Sequence, residues 1–250
     1  MSGHSKWSTI KRKKAANDAK RGAIFTRLAR EIAIAAREGG DPDVNFALRL
    51  AIDRAKAENM PKDNIERAIR RGTGEDKDAA RLEQILYEGY GPHGVALLIE
   101  VVTDNRNRTV AELRHTLTDA GGNMADAGSV AWQFHRAGYF YYETEKVDPD
   151  AVFEIAVDAG AEDVILGDEE IEVFTPADLF KTVNDALRAA GLKPDEAELR
   201  MVPNSTLELS VDKSVKTMRL IERIEDLDDV QNVYSNLAVT DDALELLEAA

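Results

Sequence analysis

The last patterned stretch of the chain is too small to fold alone, and that constrains how everything before it must be arranged. Residues 207–211 read as a strand, 215–224 as an amphipathic helix and 230–237 as a second strand, too little apolar surface for an independent core. The stretch just before it is complete in itself. From about Gly138 the pattern runs strand, helix, strand, strand, helix, strand, the order of a ferredoxin-like unit. Residues 139–142 are an aromatic strand, and Asp148-Pro149 caps a helix with Val152, Phe153 and Ala156. Gly167-Asp168 turns the strand at 164–166 into an alternating one at 171–174. Thr175-Pro176 opens a helix with Leu179, Val183 and Leu187, and Ala197, Leu199 and Met201 alternate with Glu198 and Arg200 on the closing strand.

The closing elements must therefore reach back past this unit to an earlier half-domain. That half-domain starts with a strand at Ile85, Leu86 and Tyr87 and a strongly apolar strand over 95–102. Thr109 and Glu112 have capping-box spacing for a helix with Val110, Leu113 and Leu117 inward, and a strand over 130–134 follows. Ahead of it the pattern is helical. Phe25, Leu28, Ile32 and Ala35 mark one helix over 22–37, Leu48, Ile52 and Ala55 a second ending before Pro61, and Ile65, Ala68 and Ile69 a third that Asp63 and Glu66 open as a capping box. The expectation is an α+β chain of three domains: a helical nucleic-acid-binding domain over 1–79, a discontinuous α+β domain from 80–136 plus 204–250, and a ferredoxin-like α+β domain over 137–203 inserted into it.

Charge then separates the ends of the chain. The formal net charge is -15, yet residues 1–30 carry +8 and residues 31–250 carry -23. An acidic body repels phosphate, so a concentrated basic end is either a footprint for nucleic acid or a solvated tail. Lys6, Lys11, Arg12, Lys13, Lys14, Lys20 and Arg21 supply the charge, and Trp7 among them can stack on a base or wedge into a groove, or, in a solvated tail, fold back onto a helix. Arg106 and Arg108, after the Asp104-Asn105 turn, are further phosphate contacts on an otherwise acidic domain. Arg67, Arg70 and Arg71 form a second basic cluster, although cations in a last helical turn also serve the helix dipole.

Several chemistries find no support. The absence of cysteine removes disulfides, thiolate metal sites and cysteine nucleophiles. No apolar run reaches the roughly 18–20 residues of a membrane span, so a soluble protein of the cytoplasm, or of the mitochondrial matrix in a eukaryote, is expected. Gly89-Tyr90-Gly91-Pro92-His93-Gly94 matches GxGxxG, but a dinucleotide fingerprint must open a helix, and here Pro92 and a strand follow. A catalytic set of Glu88, His93, Asp104 and Arg106 is conceivable on the 88–106 loops, but turn chemistry explains these residues more cheaply. No catalytic residue, metal site, cofactor or small-molecule substrate is expected.

Longer motifs carry a resemblance. Gly3-His4-Ser5-Lys6-Trp7, Ile10-Lys11, the run from Asn59-Met60-Pro61-Lys62-Asp63-Asn64 to Ile65-Glu66-Arg67-Ala68-Ile69, Tyr87-Glu88-Gly89-Tyr90-Gly91-Pro92, Thr103-Asp104-Asn105-Arg106-Asn107-Arg108-Thr109 and Gly128-Ser129-Val130 occur in order. Together they make the chain resemble the YebC/PmpR family over essentially its whole length. The resemblance implies a three-domain intracellular protein, described as a probable transcriptional regulator in bacteria. Other members are described as translational activators, including the mitochondrial translational activator of cytochrome oxidase. Two partners follow: DNA, and ribosomal RNA or the ribosome itself. No helix-turn-helix signature fixes a recognition helix in the sequence, and a lysine-rich extension with Trp7 suits folded RNA.

Overall fold

The computed structural model describes residues 6–7, 18–76 and 79–249. Those residues form two compact units, one over Phe134–Asn204 and the other from the chain on either side of it. The fold is α+β, with amino-terminal helices and two four-stranded sheets.

Three helices open the first unit: α1 (Asp18–Ala35), α2 (Phe46–Ala57) and α3 (Lys62–Thr73). Leu28, Ile32, Leu48, Ile52, Ile65 and Ala68 interlock in one apolar cluster, as their helical spacing predicts. Buried Asn45 sets the α1–α2 corner: its Oδ1 accepts from the Leu48 N–H at 3.0 Å while its Nδ2 donates to the Ala35 and Gly39 carbonyls, each at 2.8 Å. The capping box expected at Asp63 is absent. Pro61 is the N-cap of α3 and no side chain bonds there.

The first sheet follows, with β1 (Glu83–Tyr90), β2 (Ala96–Thr103), α4 (Arg106–Asp119) and the short β3 (Asn123–Met124). After the insertion the chain adds α7 (Val211–Glu225), β8 (Val230–Ser235) and α8 (Asp241–Glu248). Strand order is β3-β1-β2-β8, so β8 pairs antiparallel with β2 across the inserted segment. Val95, Leu97, Ile99 and Val101 face Leu113 and Leu117 of α4, Met218, Ile221 and Ile224 of α7, and Leu244 of α8. The strand expected over 207–211 shrinks to a single parallel bridge, Leu207 with Leu237, because α7 already starts at Val211. The strand expected over 130–134 also fails, since the next strand starts only at Phe134.

The inserted unit holds β4 (Phe134–Glu143), α5 (Pro149–Asp158), β5 (Asp163–Leu166), β6 (Glu170–Pro176), α6 (Phe180–Ala189) and β7 (Glu196–Pro203). Its antiparallel sheet has the order β5-β6-β4-β7, the ferredoxin-like arrangement. Asp148 caps α5 as expected, its Oδ1 accepting from the Asp150 N–H at 3.1 Å. Phe140 stacks on Phe180 with ring centroids 4.9 Å apart, tying sheet to helix.

The helical cluster joins the first sheet through Ala33, Leu82 and Val102. Close approach between α1 and α3 depends on Gly72, where a Cβ would sit 2.3 Å from the Ala33 carbonyl oxygen and 2.6 Å from the Ala36 Cβ. A backbone oxygen cannot yield as a flexible side chain does. Gly72→Ala should therefore cost about 2–3 kcal/mol, although alanine is the better helix former. Urea denaturation followed by circular dichroism measures this, and an unchanged or raised midpoint would contradict the packing described.

Candidate nucleic-acid interface

The amino-terminal pair lies against the first sheet's unit. Lys6 Nζ stands 2.9 Å from Asp241 Oδ1 at the start of α8. The Trp7 indole is 3% exposed, packs into the cluster formed by α7, α8 and the sheet, and donates from Nε1 to Glu222 Oε1 at 3.2 Å. Burying the ring with its N–H satisfied accounts for this seat. The indole expected to stack on a base faces protein in this arrangement. Lys11, Arg12, Lys13 and Lys14 lie outside the described residues; Lys20 and Arg21 fall in the first turn of α1, and their side chains are outside the described part.

The run from Thr103 to Thr109 builds something other than a phosphate grip. It wraps the carboxylate of Asp229, whose side chain is 1% exposed. Asp229 Oδ2 accepts from Thr103 Oγ1 at 2.9 Å, Thr109 Oγ1 at 2.6 Å and Arg108 Nη2 at 2.7 Å, while Arg30 Nη2 of α1 approaches Oδ1 at 3.0 Å. Burial alone would raise the Asp229 carboxyl. The hydrogen bonds from Thr109, Arg108 and Thr103, with the Arg30 charge, more than offset it and hold the group below its ordinary range. Arg108 also meets Asp104 at 3.2 Å, so its charge is engaged within the protein. The cap of α4 is Asn105, which accepts from the Arg108 N–H at 3.1 Å; Thr109, expected as the cap, serves Asp229 instead. Arg106 remains on the surface. Nothing in the sequence around Asp229 marked it, because its partners come from distant segments.

The four side chains conceivable as a catalytic set do not converge. Glu88 is buried and accepts from the N–H groups of Gly128 at 2.7 Å, Val130 at 2.5 Å and Ala131 at 2.9 Å. Burial raises its carboxyl, but these backbone donors outweigh it and the net shift is downward. They also fold 128–131 into a loop where a strand was expected. His93 sits at the tip joining β1 to β2, and Asp104 and Arg106 follow the far end of β2. Strands of eight residues put those ends roughly 25 Å apart. Among the described residues no group of three or more His, Asp or Glu could hold a metal ion.

One helix pair gains meaning from the structure. Helices α2 and α3, 12 residues each, are joined by residues 58–61, with Asn59 in the left-handed conformation at φ 58°. Exposed Arg67 and Arg70 lie on α3, together with Lys62, which pairs with Glu66 at 3.4 Å. The connection has the length of the turn in a helix-turn-helix, and Asn59 takes the left-handed conformation that glycine usually supplies there.

Comparison with known proteins divides the chain between its opening helices and the rest. Residues 5–75 match the family model described as the TACO1/YebC protein N-terminal domain, and residues 82–237 that of the TACO1/YebC second and third domain. A probable transcriptional regulatory protein of Acidithiobacillus ferrooxidans is 56% identical over 251 residues, covering 100% of this chain and 99% of the relative. One of the same name from Trichlorobacter lovleyi is 54% identical over 246 residues, covering 98% and 99%. The crystal structure of a conserved hypothetical protein from Aquifex aeolicus superposes with a TM-score of 0.83 at 39% identity, covering 90% of this chain and 93% of that one.

The surroundings of Asp229 set a pH test. A carboxyl held low in the folded state adds stability that is present above its unfolded pKa, near 4, and is lost as pH falls through the lower folded value. Asp229→Ala should cost about 2–3 kcal/mol at neutral pH, less than the roughly 3–5 of a fully buried pair because Arg108 keeps solvent access. Its stability should also fall less steeply than the parent's below pH 4. Parallel acid titrations of the two chains, monitored by thermal unfolding, measure this, and equally steep losses below pH 4 would refute the assignment.

Proposed function

The chain belongs to the TACO1/YebC family, and from that premise we propose that it regulates gene expression by binding nucleic acid, chiefly through phosphate contacts of its basic amino-terminal segment. The observation that carries this is the charge division: +8 in residues 1–30 against -23 in the rest. Counterion release from a polyanion is the interaction such a segment gains and the body does not. The family is one of regulatory proteins by the names of its members, and the reading assigns this chain no catalysis. Among the described residues no helix is long and apolar enough to cross a membrane, and the proposed place of action is the cytoplasm.

The relatives' names point to transcription and hence to DNA. For DNA, α2 and α3 are the candidate reading unit, with Arg67 and Arg70 beside the groove. A second reading, structured RNA on the ribosome, is favoured by Asp63 and Glu66. They occupy the first turns of α3, where a recognition helix meets DNA, and their charges oppose approach to a phosphate-lined groove. Folded RNA needs shape and phosphate contact more than an inserted helix.

Because Trp7 is part of a core, deleting the whole segment would disturb folding as well as charge. The cleaner test replaces Lys11, Arg12, Lys13 and Lys14 with glutamine in the full chain and measures binding to duplex DNA and to ribosomal subunits across salt concentrations. If all four cations neutralise phosphates, the slope of log affinity against log salt should become shallower by about 3–4. An unchanged slope and affinity on both targets would contradict the proposal.

A further inference from the structure

One glycine of the sequence that imitates a dinucleotide fingerprint, Gly91, acts with Gly122 to let the β1–β2 tip, the turn after α4 and the middle of α7 approach closely. A Cβ on Gly122 would sit 2.4 Å from the Tyr90 carbonyl oxygen, and one on Gly91 would touch Leu220 at 3.6 Å and Thr217 at 3.7 Å. Between these three elements lies an open cleft of about 530 Å³ lined by Pro92, His93, Ala120, Gly121, Lys216 and Arg219.

The charge in that cleft departs from the rest of the body. Lys216 and Arg219 of its lining, with Lys213 beyond it, recur every third residue along α7 and are all exposed, so they share one helical face. Among the described residues none of the three forms an ion pair, whereas Arg223, further along, is held by Asp119 at 2.7 Å. A chain with 47 acidic residues against 32 Lys and Arg has carboxylates to spare for such cations, and leaves these without one. His93 adds a polar ring from the opposite wall, held at φ 64°, a left-handed conformation that non-glycine residues adopt at some cost.

We propose that this cleft is a second phosphate site, gripping the phosphodiester backbone of the nucleic acid whose first contacts are the amino-terminal cations. It rests on that reading of the function. The cleft is open, and the neighbouring N–H groups are already used within the turn, Gly121 to the Thr118 carbonyl at 3.0 Å and Gly122 to the Leu117 carbonyl at 2.8 Å. Among the described residues nothing encloses a free phosphate or a nucleotide. A polymer needs no enclosure, because it sums partly solvated contacts over several sites.

The test uses the full chain carrying Lys216→Ala and Arg219→Ala, with a fluorescent RNA stem-loop and a fluorescent mixed-sequence DNA duplex as probes, read by anisotropy from 50 to 200 mM salt. Both residues are exposed, so circular dichroism and melting should match the parent. Loss of two phosphate contacts should weaken binding of the preferred probe by about tenfold at 0.15 M salt and make the salt slope shallower by about 2. The Lys216→Arg, Arg219→Lys exchange should keep most of the affinity. The inference is overturned if the double variant binds both probes as tightly and as steeply as the parent. Should the glutamine variant at residues 11–14 lose binding in that case, the amino-terminal reading stands and only the cleft fails. If the parent binds neither probe, both fail together. Loss of binding to polyglutamate alone, with nucleic-acid binding intact, would also overturn it, in favour of an acidic protein partner.

Discussion

The buried carboxylate of Asp229 is the point on which the first unit depends. It lies just before β8, receives Thr103 from the end of β2, Arg108 and Thr109 from the first turn of α4, and Arg30 from α1. Four chain segments, separated by more than 100 residues at the widest, thus meet on one charged group. Removing any one partner leaves charge or polar groups short of a bond in a place water reaches poorly. The arrangement also orients the helical module. Arg27 donates to the Glu225 carbonyl at 2.6 Å, Arg30 donates to the Asp228 carbonyl, and Arg37 reaches the Leu82 carbonyl, so three arginines on one side of the helical module fasten it to the sheet. The helical module is thus held in a set orientation by its own cations turned inward.

That division of labour among cations was only half legible in the sequence. Periodicity gave α1, α2 and α3, β2 and the helices of the ferredoxin-like unit, because each depends on apolar spacing within a short window, and the smallness of the closing stretch gave the return of β8 to the first sheet. It could not give the fate of polar residues whose partners are remote. Arg108 looks like a phosphate contact until Asp229, 121 residues away, is brought beside it. Glu88 looks available for chemistry until the loop at 128–131 folds over it, and the same loop explains why an apolar run at 130–134 is not a strand. Trp7 sits in a basic, polar stretch whose composition suggests exposure, yet its ring completes a core built by α7 and α8. Helix α8 itself, from Asp241 to Glu248, escaped notice because eight residues carry too few apolar repeats to stand out.

The acidic body and the basic sites are parts of one physical scheme. A chain with net charge -15 is kept off polyanions except where cations are concentrated, so approach is restricted to a few orientations. The amino-terminal segment concentrates them by sequence, and the α7 cleft concentrates them by folding. Lys6 and Trp7 bracket the start of the first and fasten it to α8 and α7, the helix that bears the second. The proposed contact through phosphates at several points would make affinity sensitive to salt before it made it sensitive to base sequence.

If the native chain holds nucleic acid electrostatically, as proposed, salt should release it. This is measured by sedimentation of the unmodified protein with purified ribosomes, and separately with genomic DNA, at 50 mM and at 500 mM salt. The protein should sediment with at least one of the two at the lower salt and be released at the higher. A chain that stays in the supernatant with both at 50 mM, or that remains bound to either undiminished at 500 mM, would contradict it.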